Sequence, residues 1–580
     1  MMVLKILLFG FSTLGSFEVI RKISGDKIGV YFLPSLTIAI QVTILYFAGI
    51  FNLLPEITNM LFVLGLGGFA IRLWENKGIK FTKVYLNHGY ITFFLILIVM
   101  AMCVKGKLFS HIDNFSHWAI VVQNMLEENR YPNFESILIM FQEYPLGSAT
   151  YIYYFAKLIR NSESIQMLAQ IYMMASAILP LYSFIDKGNI KIDCIFCVFV
   201  NFVFTYNITV GNLLVDTLLP IVGICGLLFA KKYCFNNDNR IFCWFLSCYL
   251  VQIIQIKNSG IFFVAVIVIV CIRYYWKGDS RISNLCSAVF PFISLLIWHK
   301  HCQYVFSSAG TSKHAMTVEN YQAVFGDKTA EDIKVITTGL FKFALTYKGI
   351  WLLLGITILI GCHIYFLKRT YFSDFKKCFV FSVILYATYQ IGTLGMYLFS
   401  MPGSEATNLA SLERYTKTII LAILMVYMAL AFCALGDSNV KKTVRNVAVI
   451  IMIVSILSFS YISQGSIRFA TSVMDSGIER LWLEERLWLE ENRDKYAIPM
   501  YESYCMLIPS YDSGYAHFLQ KYVFQSADVS SKIIENYDDL NSISSKYIFV
   551  YDDANEIINT WIKEMYPEQL GNDVIIRGDR

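Results

Sequence analysis

Asp113, Asp216, Lys257 and Arg414 each stand at the edge of a long apolar run. An ionisable side chain at the mouth of a membrane helix is costly to place and marks a site by default. Asp113 lies in His111-Ile-Asp-Asn-Phe-Ser-His-Trp118, just past the uncharged run Tyr90 to Val104. A carboxylate there suits proton transfer or the binding of a hard cation. Asp216 sits in Gly211-Asn-Leu-Leu-Val-Asp-Thr-Leu-Leu219 and can act as a second acid, or as the N-cap of the helix that follows. Arg414, in Leu412-Glu-Arg-Tyr415, offers a planar fork for a phosphate, and Lys257, in Gln255-Ile-Lys-Asn-Ser-Gly260, offers a point charge. The plain alternatives are a solvated loop for Asp113 and snorkelling of both cations to lipid headgroups. Phe115, Trp118 and Ile120 give Asp113 an apolar, interface-seeking context, which argues against the first.

Composition says what must position these residues. Hydrophobic residues make up 56% of the 580-residue chain and charged residues 16%, with a mean hydropathy of +0.53. Soluble chains carry about 25% charge, so a polytopic all-α membrane protein is expected. A helix crosses a bilayer with roughly 20 apolar residues. About fourteen such runs lie near 3–20, 29–51, 56–74, 88–105, 165–185, 192–211, 213–230, 241–256, 259–274, 283–300, 349–367, 378–400, 416–435 and 446–463. Lys5 and Glu18 interrupt the first, but no small-residue cleavage site follows, so it reads as a span. The net charge of +5 is spread over loops and implies no nucleic-acid partner. Most of the fourteen cysteines lie in apolar runs, where thiols behave as small hydrophobes. Cys194-x-x-Cys197 opens a membrane helix, where a redox motif would lack solvent access.

Short basic loops occur at 21–27, 72–83, 186–191, 231–240, 273–281, 368–377 and 441–445. All of them face the cytoplasm under the positive-inside rule only if 145–159 does not cross. That segment is short, opens with Pro145 and carries tyrosines and Lys157, so an interfacial helix on the outer leaflet is expected. Loops 106–164, 301–348 and 401–415 and the tail beyond 465 then all face outside.

This order of motifs resembles the membrane-embedded glycosyltransferases of the GT-C fold, the superfamily of the protein O-mannosyltransferases and the lipid A aminoarabinose transferase. That family carries an essential acid in its first large external loop, followed by a Pro-rich turn that starts an interfacial helix. Here Tyr144-Pro-Leu-Gly147 follows Asp113 by about thirty residues and keeps one of the two prolines. Related bacterial loops read Trp-Asp-Glu-Phe-Ser-His-Trp. This chain has Ile112-Asp-Asn-Phe-Ser-His-Trp118, so an amide, Asn114, replaces the second acid. Lys257-Asn-Ser-Gly260 and Glu413-Arg-Tyr415 are similar to further strings of the family.

The resemblance covers roughly residues 88–464. It implies inverting transfer of a sugar from a polyprenyl-(pyro)phosphate donor to a cell-envelope glycan or lipid-linked acceptor, by a multi-pass protein of the plasma membrane. Asp113 would be the general base and Asp216 the second acid. Asn114, His117, Tyr144, Lys257, Glu413, Arg414 and Tyr415 would bind substrate. Mg²⁺ or Mn²⁺ at Asp113 and Asp216 would suit oxygen ligands. The amide at Asn114 weakens a two-carboxylate metal site within the first loop. His111 and His117, with no third ligand, do not make a zinc site.

The chain divides into spans over 1–87, a GT-C-like module over 88–464 and an external domain over 465–580. In the last, Lys546-Tyr-Ile-Phe-Val-Tyr-Asp-Asp553 reads as a buried strand and 554–565 as a helix, so a small α/β domain is expected. Glu479-Arg-Leu-Trp-Leu-Glu484 repeats at once over 485–490. Six residues advance a helix by about 600°, so the two Trp-Leu pairs point roughly 120° apart. An amphipathic surface helix is expected, not a coiled-coil seam. Two other classes suit a polytopic, outward-facing chain. A polysaccharide polymerase or flippase would show a late external loop rich in Arg and His, but 301–348 contains no Arg. A secondary transporter would show inverted repeats and helices broken at mid-membrane. No repeat is seen among the spans, and the ionisable residues lie at helix ends.

Overall fold

A computed structural model describes residues 2–76, 84–185, 188–235, 240–276, 281–307, 318–367, 370–436, 442–470 and 478–577. Parts of the expected basic loops (77–83, 186–187, 236–239, 277–280, 368–369 and 441), of the 301–348 loop (308–317) and of the tail (471–477) lie outside the described residues. The chain is a polytopic helical membrane protein with a small sheet near its C-terminus.

The helices are α1 (Met2–Ile23), α2 (Leu33–Ile50), α3 (Leu54–Asn76), α4 (His88–Val104), α5 (Ala119–Glu128), α6 (Gly147–Ile159), α7 (Glu163–Ile178), α8 (Ile190–Tyr206) and α9 (Leu218–Phe229). They continue with α10 (Arg240–Ile256), α11 (Gly260–Tyr275), α12 (Arg281–Val305), α13 (Val318–Gly326), α14 (Ala330–Thr346), α15 (Lys348–Leu367), α16 (Thr370–Phe399), α17 (Leu412–Gly436) and α18 (Lys442–Gln464). Among the described residues, nine helical segments are long and apolar enough to cross a membrane. They are α1, α2, α3, α7, α12, α14 joined to α15, α16, α17 and α18; α4, α10 and α11 are apolar but shorter.

Glu18 is tolerated in α1 because it is buried against donors: Arg21 at 3.0 Å, Arg72 Nε at 2.7 Å and the Tyr85 hydroxyl at 2.6 Å. Close packing of α1 on α3 also needs Gly15, where a Cβ would fall 1.8 Å from the Gly65 carbonyl oxygen.

The expected interfacial segment is helix α6, in which Gly147 to Ala156 are all buried, packed among α1, α2, α7 and α10. Its tyrosines serve that interior. Tyr153 and Lys157 both donate to Asn129 Oδ1. The runs 192–211 and 213–230 are the helices α8 and α9, separated by a longer loop than expected, because α8 ends at Tyr206 and α9 starts only at Leu218. Between them Thr217 Oγ1 accepts from the Ile208 N–H at 3.0 Å and bonds the Ile208 carbonyl at 3.2 Å, closing 208–217 into a loop.

The C-terminal region begins with α19 (Ile478–Lys495) and continues as β1 (Tyr504–Leu507), α20 (Tyr515–Phe524), β2 (Val529–Lys532), β3 (Tyr547–Val550), α21 (Glu556–Met565) and β4 (Val574–Ile576). Sheet order is β2-β1-β3-β4, parallel over the first three strands and antiparallel at β4. Central strands of such a sheet are covered on both faces and read as unbroken apolar runs. Tyr504-Cys-Met-Leu507 and Tyr547-Ile-Phe-Val550 are accordingly buried throughout. The strand expected within 546–553 is β3, and the helix expected over 554–565 is α21.

The duplicated hexads do not form a free surface helix. Trp482 stacks on Tyr515 at 5.0 Å and meets His111 edge-on at 5.4 Å, while Trp488 packs against Tyr551 at 4.9 Å and Phe549 at 6.4 Å. The same rotation leaves the Arg480 side chain 70% exposed and Arg486 3%.

A candidate active site of two acids and two cations

The segment after α4 turns through Gly106 (φ +73°) and brings His111 back on itself. His111 Nδ1 accepts the Asp113 N–H at 3.1 Å, so the ring carries its proton on Nε2 when neutral. Burial holds His111 below the usual histidine range. From Asn114 to Trp118 the backbone is wound one residue wider than an α-helix, with the Ala119 N–H bonded to the Asn114 carbonyl. Such a turn is rare and frequently found at functional sites.

Asn114 is fully buried, and both ends of its amide are used. Nδ2 donates to Asn212 Oδ1 at 2.9 Å, and Oδ1 accepts the Leu213 N–H at 3.0 Å. It therefore bolts the Asp113 loop to the Asp216 loop. A carboxylate could not make the first of these bonds while ionised.

Asp216 is 4% exposed and lies in the loop before α9, where Thr217 takes the N-cap position. Its Oδ1 accepts from Lys257 Nζ at 2.8 Å, and its backbone carbonyl accepts from Thr418 Oγ1 at 3.1 Å. Burial pushes its pKa up, but Lys257 and Arg414 outweigh that and hold the carboxyl below its usual range. Arg414, on the first turn of α17, donates from Nη1 to Asp113 Oδ2 at 2.7 Å. Its Nε lies 3.5 Å from Asp216 Oδ2 and has no hydrogen-bond acceptor. Asn207 Nδ2 holds the Arg414 carbonyl at 3.1 Å. Tyr415 presents its ring to both cations, 5.1 Å from Lys257 Nζ and 5.7 Å from the Arg414 guanidinium carbon. The cluster is thus Asp113–Arg414–Asp216–Lys257, two charges of each sign. It opens at Asp113, whose side chain is 33% exposed. Pairing of this kind is what lets buried charge persist.

Tyr144 packs on His117 at 4.9 Å and on Phe141 at 5.3 Å, and its phenol is pushed up by burial. His117 is buried behind it, with Nδ1 lacking a hydrogen-bond partner, and burial depresses its pKa to about 3. It is a neutral wall of the site. Glu413 does not join the cluster: it pairs with Lys417 at 2.8 Å and accepts from the Tyr347 hydroxyl at 3.2 Å. Its neighbour Arg414 turns inwards because successive helical residues are about 100° apart.

Among the described residues no group of three His, Cys, Asp or Glu side chains could hold a metal ion. Asp113 and Asp216 already accept from Arg414 and Lys257.

Three parts of this arrangement escape a reading of the sequence. Asn207 and Asn212 are bolts with no distinguishing pattern, and the contact of Trp482 with His111 joins residues from opposite ends of the chain. Fold and site define a polytopic helical membrane protein with a half-buried acid–base cluster at one end of its helices. No protein-family model, curated protein or solved structure matches the chain.

Proposed function

We propose that the protein is an inverting membrane glycosyltransferase of the GT-C kind, taking a sugar from a polyprenyl-(pyro)phosphate donor to an envelope-glycan or lipid-linked acceptor. The observation that carries this reading is the pairing of Asp113 with Arg414 beside Asp216 and Lys257. It sets a proton acceptor next to two cations at one opening.

A donor phosphate supplies oxygens that compete with Asp113 for Arg414, whose Nε is free of a hydrogen-bond acceptor. Once Arg414 has turned to the phosphate, Asp113 is released as a base. The acceptor hydroxyl attacks the anomeric carbon while Asp113 Oδ2 takes its proton. The bond from that carbon to the phosphate oxygen breaks, and the departing charge rests on Arg414 and Lys257. In this reading the chain makes fourteen crossings, with the cluster and residues 465–580 on the external side. The cluster sits at helix ends, which suits an interfacial enzyme better than a transporter with its site at mid-membrane.

The test is transfer in proteoliposomes from undecaprenyl-phosphate-linked sugars, with mass spectrometry of envelope glycans in cells with and without the protein to name the sugar. Asp113→Asn is expected to lower turnover about a hundredfold or more while the protein still inserts. Near-normal turnover in that variant would remove Asp113 from the chemistry.

A further inference from the structure

The loop that carries Asp113 is gripped on both sides by one arginine from the C-terminal region. Arg486 comes from the second copy of the duplicated hexad. Its Nη1 donates to the Phe109 carbonyl at 2.6 Å and to Glu163 Oε2 at 2.9 Å, and its Nη2 donates to Glu163 Oε1 at 2.7 Å. The same Glu163 accepts the Phe109 N–H at 2.5 Å. Both backbone groups of Phe109, four residues before Asp113, are thus held by the Arg486–Glu163 pair.

Two residues after Asp113, the Phe115 ring lies 5.6 Å from the Arg486 guanidinium carbon and 5.0 Å from the Tyr522 ring. Tyr522 donates to Glu163 Oε1 at 2.9 Å, and Glu490, one turn along α19, accepts from Arg486 Nε at 3.0 Å. The first hexad adds two lighter contacts: Trp482 against His111, and Glu479 accepting from Asn212 Nδ2 at 3.3 Å. A buried arginine needs every donor satisfied. Here they are satisfied by the Phe109 carbonyl, Glu163 and Glu490, whereas Arg480, its counterpart in the first copy, meets only Glu484 among the described residues.

We infer that Arg486 is a positioning residue: with Glu163 it clamps Phe109 and Phe115 and so fixes where Asp113 points, making the C-terminal region part of the site. The catalytic consequence rests on the glycosyltransferase reading above, but the clamp itself does not. The planar fork of Arg486 makes five acceptor contacts at once, which the three donors of an ammonium cannot.

The experiment uses the full chain in lipid nanodiscs, comparing Arg486→Met, Arg486→Lys and Arg480→Met by hydrogen exchange and by sugar transfer. Arg486→Met should lower amide protection over 109–117 at least tenfold, and turnover about 10- to 100-fold, with donor KM within twofold. Arg486→Lys should fall between, and Arg480→Met should match the parent. If Arg486→Met does not accumulate, Arg486→Lys carries the same readouts. Unchanged protection over 109–117 overturns the clamp. Protection lost equally across 478–577 and the membrane helices makes Arg486 a general stabiliser and overturns positioning. No transfer by the parent protein would sink the enzyme reading, while exchange would still decide the clamp.

Discussion

Arg414 and Asp113 are 301 residues apart in the chain and 2.7 Å apart in space. Their pairing neutralises a carboxylate at the opening of the site, and it ties α17 to the loop after α4. Any anion that draws Arg414 away changes Asp113 at the same time. In the glycosyltransferase reading proposed above, the pair links donor binding to the release of Asp113 as a base.

Arg414→Lys keeps the charge but loses the fork that reaches Asp113 and faces Asp216 together. Donor KM should rise about tenfold, roughly 1.4 kcal/mol, with acceptor KM little changed. Initial rates at varied donor and acceptor settle it. Equal effects on both would make Arg414 a structural partner of Asp113 and not a ligand of the donor phosphate.

Asn114→Asp introduces the second acid of the glycosyltransferase loops that this segment resembles, but removes the donor to Asn212 Oδ1 and sets two oxygens face to face. A cost of about 1–3 kcal/mol is expected for the buried, unsatisfied group, with no gain of Mg²⁺ or Mn²⁺ dependence. Thermal unfolding and metal titration measure both. A variant made active by metal would contradict the bolt.

Gly147 makes a close approach: a Cβ there would fall 2.7 Å from the Gln255 carbonyl oxygen, two residues before Lys257. Gly147→Ala should cost about 1–3 kcal/mol by overpacking and raise donor KM through a displaced Lys257. Unfolding temperature together with donor KM checks this. A neutral substitution would show that α10 yields freely.

Glu485 gives the C-terminal region a pH dependence. Burial and then Asp512 raise it from 4.5 to about 7, with Tyr515 and Tyr551 as its other titratable neighbours. A raised carboxyl favours the folded state while protonated. Its contribution is full below pH 4.5 and is lost as pH rises through about 7. Protection factors over 478–577 should thus be higher at pH 5 than at pH 8, by on the order of 1–3 kcal/mol. Glu485→Gln should flatten that difference. A dependence that survives the substitution would assign it to another group.

Apolar runs, charge at their ends and the alternation of polar loops are local properties, and they were enough to mark a polytopic helical protein, most of its helices, β3 and α21. They also marked Asp113, Asp216, Lys257 and Arg414, because a charge beside an apolar run is visible without knowing its partner. Which charges meet was not legible. Arg414 and Glu413 are adjacent in sequence, and only the rotation of α17 sends one into the cluster and the other to Lys417. Composition could not show that α6 is buried, since an aromatic face suits an interface and an interior alike. Nor could a repeat of six residues show that one arginine would be solvated and its copy buried. Those outcomes depend on what lies across from each side chain, and distant segments of the chain supply it only once they have packed.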